Sequence, residues 1–457
     1  MPLYVEVDHD GVTYRISTED ISDIHFWDGV IIDMSTPQYA TESDLGGYAR
    51  MTFGGVKIST MWLDDIGVWP PPVNLAARIY YSQGGESEKR LCWSATWHRS
   101  GIDAWAVGYD VYDQAFDSKL LEEDVDYAGD TVPMPMAIGT VTHMRAVRLA
   151  DDPVSGNQRY HLADIQGTAG SDWHAFDDGV DICANVDNVS GNVFELTVAP
   201  VGEVTLSGTG SITTLTGLFS WACDAGRLNL TLNSVFSTTQ AIDYEAVSQE
   251  LLIDFLGSVS SAGNHLFYVI DSILMLCDLD TSPPGIATVL LDMDGDGLED
   301  ESGETVLADN DTIDIDPGDY LENMTFTDLA PKSLARCTWV TRSAVTENIG
   351  TYVKETEQSV VVGSDYPYGD EMDLECYSFT RSTISDRLIA ALDRWHMPRI
   401  RVPLPMVSLT MLPAPGQRVI VTDDRPPRDL TIDSHVRSIS YDFINMKVTI
   451  QGEGSLT

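Results

Sequence analysis

The chain has 457 residues, with 71 acidic side chains against 26 basic ones and a formal net charge of -45. Such a field repels phosphate polyanions and anionic membrane surfaces, which excludes a binder of either. Hydrophobic residues at 43%, with ten Trp, 18 Tyr and 12 Phe, exclude the disorder that extreme charge otherwise brings.

The chain opens with a hairpin. Tyr4 to Asp8 and Val12 to Ile16 alternate with a period of two around His9-Asp10-Gly11, and Asp-Gly supplies the positive φ angles of a tight turn. Strands are expected next at Arg50 to Ser59, Ala76 to Ser82, Leu91 to His98 and Ala104 to Asp113, with turns at Gly54-Gly55, Gly84-Gly85 and Ser100-Gly101. The following stretch lies between Pro133-Met134-Pro135 and Pro200-Val201-Gly202. It holds a loop from Asp152 to Asn157, a strand from Tyr160 to Ile165 and another from Val193 to Val198.

Three short helices follow. Leu215, Leu218, Phe219 and Ala222 recur at i, i+3, i+4 and i+7, so they share one face. Asp243 reads as the N-cap of a second helix carrying Val247, Leu251, Leu252, Phe255 and Leu256, stopped by Gly257. A third starts near Ser382 or Thr383, shows Ile384, Leu388, Leu392 and Trp395, and ends before Pro398. The last segment returns to strands at Arg399 to Pro403, Val407 to Leu412, Arg418 to Val421, Val436 to Phe443 and Lys447 to Gln451.

At roughly 150 residues per domain the length allows about three domains. Parsing the elements gives four segments: a β-barrel domain at 1–118, a small β domain at 119–208, a second barrel domain with two helices and an acidic loop at 209–330, and a helix plus closing barrel at 331–457. The expected fold is mainly β, several small antiparallel barrels or sandwiches with a few short helices. No apolar stretch approaches the roughly 20 residues of a bilayer span. The N-terminus shows no basic region followed by an apolar one, so no Sec-type signal is expected.

Charge type carries information beyond the sum. There are 50 Asp to 21 Glu, and 20 Arg to six Lys. This balance suits concentrated salt, where the Debye length shrinks to about 3 Å at 1 M and self-repulsion is tolerated. An acidic structural protein from a GC-rich genome gives the same balance, and both readings stand. The six Cys, at 92, 183, 223, 277, 337 and 376, are spread singly and read as small buried hydrophobes in a reducing compartment.

The sharpest local motif is Asp292-Met293-Asp294-Gly295-Asp296-Gly297-Leu298-Glu299-Asp300. Oxygen ligands on Asp292, Asp294, Asp296 and Asp300 around a turn-forming glycine suit a hard cation such as Ca²⁺. The match is partial, since the closing acid of a twelve-residue loop falls on Gly303 and Glu304 is one position late. A solvated acidic turn is the competing reading. No HExxH, GxSxG, phosphate loop or dinucleotide fingerprint is present. The nine His are scattered, and none has a partner at metal-ligand spacing. Asp64-Asp65, Asp151-Asp152 and Asp177-Asp178 are carboxylate pairs of the kind a glycosidase uses, in a chain where such pairs arise by chance. Trp27, Trp62, Trp69, Trp93, Trp97 and Trp105 crowd the first segment, as core or as a sugar platform.

Four stretches, in order, resemble a tailed-virus tail-tip or baseplate hub protein, related to the central hub of contractile phages and to siphoviral hubs. The first is the hairpin from Val5 to Ser17. The second runs from Pro135 to Val141 through Phe176-Asp177-Asp178-Gly179-Val180 to Phe194-Glu195-Leu196-Thr197 and Pro200 to Thr205, similar to the inserted domain of many siphoviral hubs. The third is the helix from Val247 to Leu256 leading into His265 to Leu274, and the fourth is Pro413 to Val421 with Val436 to Gly452.

The resemblance implies a structural virion protein and no enzyme. It would be a homotrimeric ring at the virion tail tip, assembled in the host cytoplasm and enclosing a channel for the tape-measure protein and later DNA. Its partners would be further copies of itself, the tail tube or distal tail protein, the tape-measure protein and tip or fibre proteins, with no specific nucleic-acid site. The chain shows no lysozyme-like or peptidase insertion, and the acidic loop from Asp292 to Asp319 falls outside the hub pattern. The alternative is an extracellular Ca²⁺-dependent carbohydrate- or surface-binding β-domain protein.

Overall fold

The computed structural model describes residues 3–35, 38–43, 46–52, 54–81, 90–112, 118–233, 240–270, 273–279, 288–289, 307–308, 312–316, 327–347, 350–364, 369–375, 377–378, 380–395, 399–406, 415–423, 430–442 and 447–456. The fold is mainly β, as the alternation predicts. The chain divides into two compact units, each built from non-contiguous segments. The first unit comprises Met1–Ala115, Asn264–Ala330 and Met397–Thr457, and the second Phe116–Gly263 with Pro331–His396.

The first unit contains two large sheets. In one, the opening hairpin pairs Leu3–His9 with Val12–Ser17 from Val5↔Ile16 to His9↔Val12, and Asp10 and Gly11 take φ of 49° and 78° at its turn. Asn74–Tyr81, Arg90–Ile102, Ala106–Tyr112 and Val56–Ser59 extend this sheet beyond Leu3–His9. In the other, Leu430–Asp442 and Lys447–Leu456 form the long central pair, flanked by Arg399–Met406 on one side and Gln38–Ser43 with Gly46–Thr52 on the other. The hairpin of His265–Ile270 and Ile273–Asp278 continues this sheet beyond Gly46–Thr52. One hydrophobic core serves both sheets: Val5, Ile58, Trp97 and Val107 from the first meet Leu404, Val419, Val436 and Ile450 from the second. Each such side chain fully buried stabilises the fold by about 1.5–3 kcal/mol.

Two strand boundaries differ from expectation. The stretch Arg50 to Ser59 is two strands, Gly46–Thr52 and Val56–Ser59, in different sheets. Ser100-Gly101 lies inside Arg90–Ile102 at a bulge, and the reversal comes at Asp103, whose carboxylate accepts the N–H groups of Trp105 at 2.8 Å and Ala106 at 2.7 Å. The strand expected at Val407 to Leu412 lies outside the described residues. A short helix that the sequence pattern did not announce, α1 (Thr60–Asp65), follows Val56–Ser59.

In the second unit, two four-stranded sheets enclose a core of Tyr160, Trp173, Ala175, Phe194, Leu196 and Leu206. The Trp173 and Phe194 rings lie 5.3 Å apart, and both side chains are wholly buried. Helix α2 (Leu215–Cys223) buries the predicted face, with the Thr214 hydroxyl capping Gly217 N–H at 3.1 Å. Helix α3 spans Leu252–Ala262, later than predicted. Asp243 is not its cap, Tyr244–Ala246 is a strand paired with Met136–Ile138, and the helix passes through Gly257 to end at Gly263. The apolar stripe continues through Val259, so burial outweighs the roughly 1 kcal/mol that a helical glycine costs.

The largest feature missing from the sequence reading is a hairpin of Lys332–Glu347 with Gly350–Gly363, paired without interruption from Leu334↔Gly363 to Glu347↔Gly350. Helix α4 (Arg381–Trp395) packs on it and buries Ile384, Leu388, Leu392 and Trp395.

Candidate metal centre and assembly surfaces

The four expected cation ligands, Asp292, Asp294, Asp296 and Asp300, lie outside the described residues. Of the carboxylate pairs, Asp151-Asp152 and Asp177-Asp178 hold backbone in place, through Asp152, Asp177 and Asp178. Asp152 closes a loop, its Oδ1 accepting the N–H groups of Val154 at 2.8 Å and Ser155 at 2.6 Å. These bonds hold its carboxyl below the usual carboxylate range.

Asp177 and Asp178 do more, because they join two parts of the second hub-like stretch. Asp177 Oδ2 accepts Val201 N–H at 2.8 Å and its Oδ1 accepts Gly202 N–H at 2.6 Å, while Asp178 Oδ1 accepts Glu203 N–H at 2.9 Å. A Cβ on residue 202 would overlap the Asp178 carboxylate, so the close approach requires glycine there. The acid-acid-glycine turn and the proline-any-glycine exit are thus two halves of one clamp. Gly139, at the start of that same stretch, has φ of 67°, and a Cβ there would overlap the Ile242 carbonyl. Asp243 secures the same crossing, accepting Thr140 N–H at 2.9 Å.

Beside this clamp the strand His174–Asp177 turns into Val180–Asp181, and a short 3₁₀ turn, Cys183–Asn185, follows. The local fold brings His174, Asp181 and Cys183 together, with their ligand atoms all within 4.8 Å of one another. His174 Nδ1 lies 2.6 Å from Asp181 Oδ2, and Asp181 Oδ1 accepts Cys183 N–H at 2.8 Å. Cys183 Sγ accepts Ala175 N–H at 3.2 Å. Burial opposes ionisation of Asp181, but the bonds from Cys183 N–H and His174 outweigh it and hold its carboxyl below the usual range. Burial pushes the Cys183 thiol up, and the Asp181 charge adds to this. The sequence pattern missed this group because six residues separate His174 from Asp181 and one separates Asp181 from Cys183. Cys183 is half-buried, whereas Cys223, Cys277 and Cys337 are buried as expected, the Cys223 thiol being pushed up to about 11 by burial.

A polar cavity of about 130 Å³ lies elsewhere in the second unit, lined in part by Glu122, His161, Asp164, Asn192 and Arg227. Ala163 and Asp164 both adopt left-handed backbone, φ of 58° and 59°, which costs of order 1–3 kcal/mol each. Side chains restrain them: His161 Nδ1 accepts Ala163 N–H at 3.2 Å, and Asn192 Oδ1 accepts Asp164 N–H at 2.8 Å while its Nδ2 donates to Asp164 Oδ1 at 2.7 Å. Burial pushes the Asp164 carboxyl up and the His161 imidazole down, so both are driven toward neutrality. These groups shape a loop at the cavity wall.

The two units differ in what they expose and what they bury. In the first, Trp105 at the reversal after Arg90–Ile102 is 73% exposed and Trp69 51%, while Trp27 and Trp97 are wholly buried. The tryptophan cluster is therefore divided between core and surface, and the Trp93 side chain lies outside the described residues. In the same unit Glu453 is fully buried beneath three guanidinium groups: Arg437 at 3.2 Å, Arg401 at 3.5 Å and Arg399 at 3.6 Å. In the second unit, Arg342 on the long hairpin pairs with the half-buried Glu245, whose carboxyl burial pushes up, and bonds Glu355 at 3.0 Å.

No family model and no curated protein matches the chain. Among solved structures, it is similar to the 43 kDa tail protein of prophage MuSo2 from Shewanella oneidensis, at 11% identity, 98% coverage of both chains and a TM-score of 0.43. It is also similar to a tail protein from Neisseria meningitidis MC58, at 10% identity over 100% of this chain and 97% of that one, TM-score 0.44. A third, prophage tail protein gp18 from Listeria monocytogenes EGD-e, aligns at 10% identity over 72% of this chain and 93% of its own, TM-score 0.30.

Proposed function

We propose that the chain is a structural virion protein, the hub of a tailed virus's tail tip or baseplate. In this reading it works as a homotrimeric ring that joins the tail tube to distal tip or fibre proteins and encloses a channel for the tape-measure protein and DNA. The observation that carries the reading is the ordered set of hub-like stretches, taken with the physical work of the second one. Gly139 leaves room for the Ile242 carbonyl and Gly202 for the Asp178 carboxylate, while Asp177 and Asp178 accept the N–H groups of Val201, Gly202 and Glu203. Their joint occurrence is therefore a signature of fold and not of composition.

The function so proposed is mechanical. The sheets of the first unit share a core that keeps their outer faces rigid, and exposed Trp69 and Trp105 offer apolar anchors for neighbouring tail proteins. A net charge of -45 per chain also suits a conduit for DNA, because phosphates meet like charge and no counterion release rewards sticking. Sedimentation of the purified chain tests the ring: the reading predicts a species of three times the 50.2 kDa chain mass. A strict monomer at every concentration and salt would contradict the trimer and favour a simple binding module.

A further inference from the structure

We propose that His174, Asp181 and Cys183 form a zinc site in the small β domain, held by Nδ1, a carboxylate oxygen and the thiolate. The three ligand atoms lie within 4.8 Å of one another, on a strand, its antiparallel partner and the turn that follows. Around a tetrahedral zinc with bonds of about 2.0–2.3 Å the ligand atoms stand about 3.3–3.8 Å apart. His174 Nδ1 and Asp181 Oδ2, now 2.6 Å apart, need to open by under an ångström, and the sulfur needs to close by at most about 1.3 Å.

The surroundings favour a metal over a bare histidine-carboxylate pair. Asp181 Oδ1 is occupied by Cys183 N–H, which turns the other oxygen toward His174. Ala175 N–H donates to Cys183 Sγ at 3.2 Å and the thiol faces the Trp173 carbonyl at 3.8 Å, which fixes the sulfur beside the strand. The Phe176 ring lies 6.1 Å from that of His174, inclined to it by 28°. Such partners to the ligands are what orient a metal site.

The donor set decides the ion. One thiolate and one imidazole with a single carboxylate suit a borderline ion such as Zn²⁺, and are poor for Ca²⁺ or Mg²⁺, which take oxygen. His174 and Asp181 side chains are 40% and 46% exposed, so water completes the fourth position. The ion would tie the turn at Cys183 to the strand carrying His174, next to the Asp177–Gly202 clamp, and its role would be structural.

Titration of the full chain with Co²⁺ as a spectroscopic substitute tests the site. The expected result is one equivalent bound with a thiolate-to-cobalt charge-transfer band in the near ultraviolet, bleached by one equivalent of Zn²⁺. Cys183→Ser abolishes that band, and His174→Gln or Asp181→Asn weakens binding by about tenfold or more. Asp181→Asn preserves the shape and the oxygen that holds Cys183 N–H, so it carries the test if Cys183→Ser unfolds by circular dichroism. Oxygen-only binding in the acidic loop gives no charge-transfer band. Absence of the band in the parent chain, or its persistence in Cys183→Ser, overturns the proposal.

Discussion

Among single residues, Glu453 makes the sharpest demand on stability. A wholly buried carboxylate faces three guanidinium groups, and its removal leaves Arg399 and Arg437, both largely out of water, without that opposing charge. Breaking a buried ionic group in this way costs about 3–5 kcal/mol. Glu453→Gln, close in shape, is expected to lower the unfolding free energy measured by urea titration by that amount. Loss of under 1 kcal/mol would mean that the arginines find other partners. This cluster was invisible in the sequence, where Arg399, Arg401, Arg437 and Glu453 stand on three separate strands that only the sheet register brings together. The same holds for His174, Asp181 and Cys183. In contrast, the Asp10-Gly11 turn was legible, because its requirement for positive φ is local and only a few residue types meet it.

At the level of elements, legibility followed the strength of the periodic signal. Helices α2 and α4 fall where their apolar stripes put them, since i, i+3, i+4 spacing is unambiguous over nine and 15 residues. Helix α3 was displaced because Asp243 resembles a cap while its carboxylate in fact secures Thr140 and accepts from the Ser378 hydroxyl. The long hairpin gives a weak sequence signal for a different reason. Its inward positions at its base, Ala335 and Cys337, are small, and much of its length is exposed, so the apolar-polar contrast is faint. The clamp between the turn at Asp177 and the exit at Gly202 provides an element-level test. Asp177→Ala removes two charge-assisted acceptors and is expected to cost about 2–3 kcal/mol, whereas Asp177→Asn, which keeps one acceptor, costs less. Thermal unfolding of the two variants checks the order. Equal, negligible shifts would mean that water replaces the carboxylate without loss.

Across the whole molecule, the chain combines a large negative charge with a scarcity of lysine. If its solvent is concentrated salt, removing salt lengthens the Debye screening distance from about 3 Å at 1 M to about 10 Å at 0.1 M and exposes the chain to its own repulsion. The melting temperature is then expected to fall on dialysis from molar KCl, and an unchanged value would favour the compositional origin of the charge. The mainly β architecture was legible because alternation is spread over the chain. The division into two units built from interrupted segments was not, because which strands pair across hundreds of residues depends on tertiary register. Gold-labelled antibodies against this chain, imaged on intact virions by electron microscopy, test its place in the particle most directly. The account predicts label confined to the distal end of the tail. Label along the tail shaft, on the capsid or on non-viral cell surfaces would contradict it.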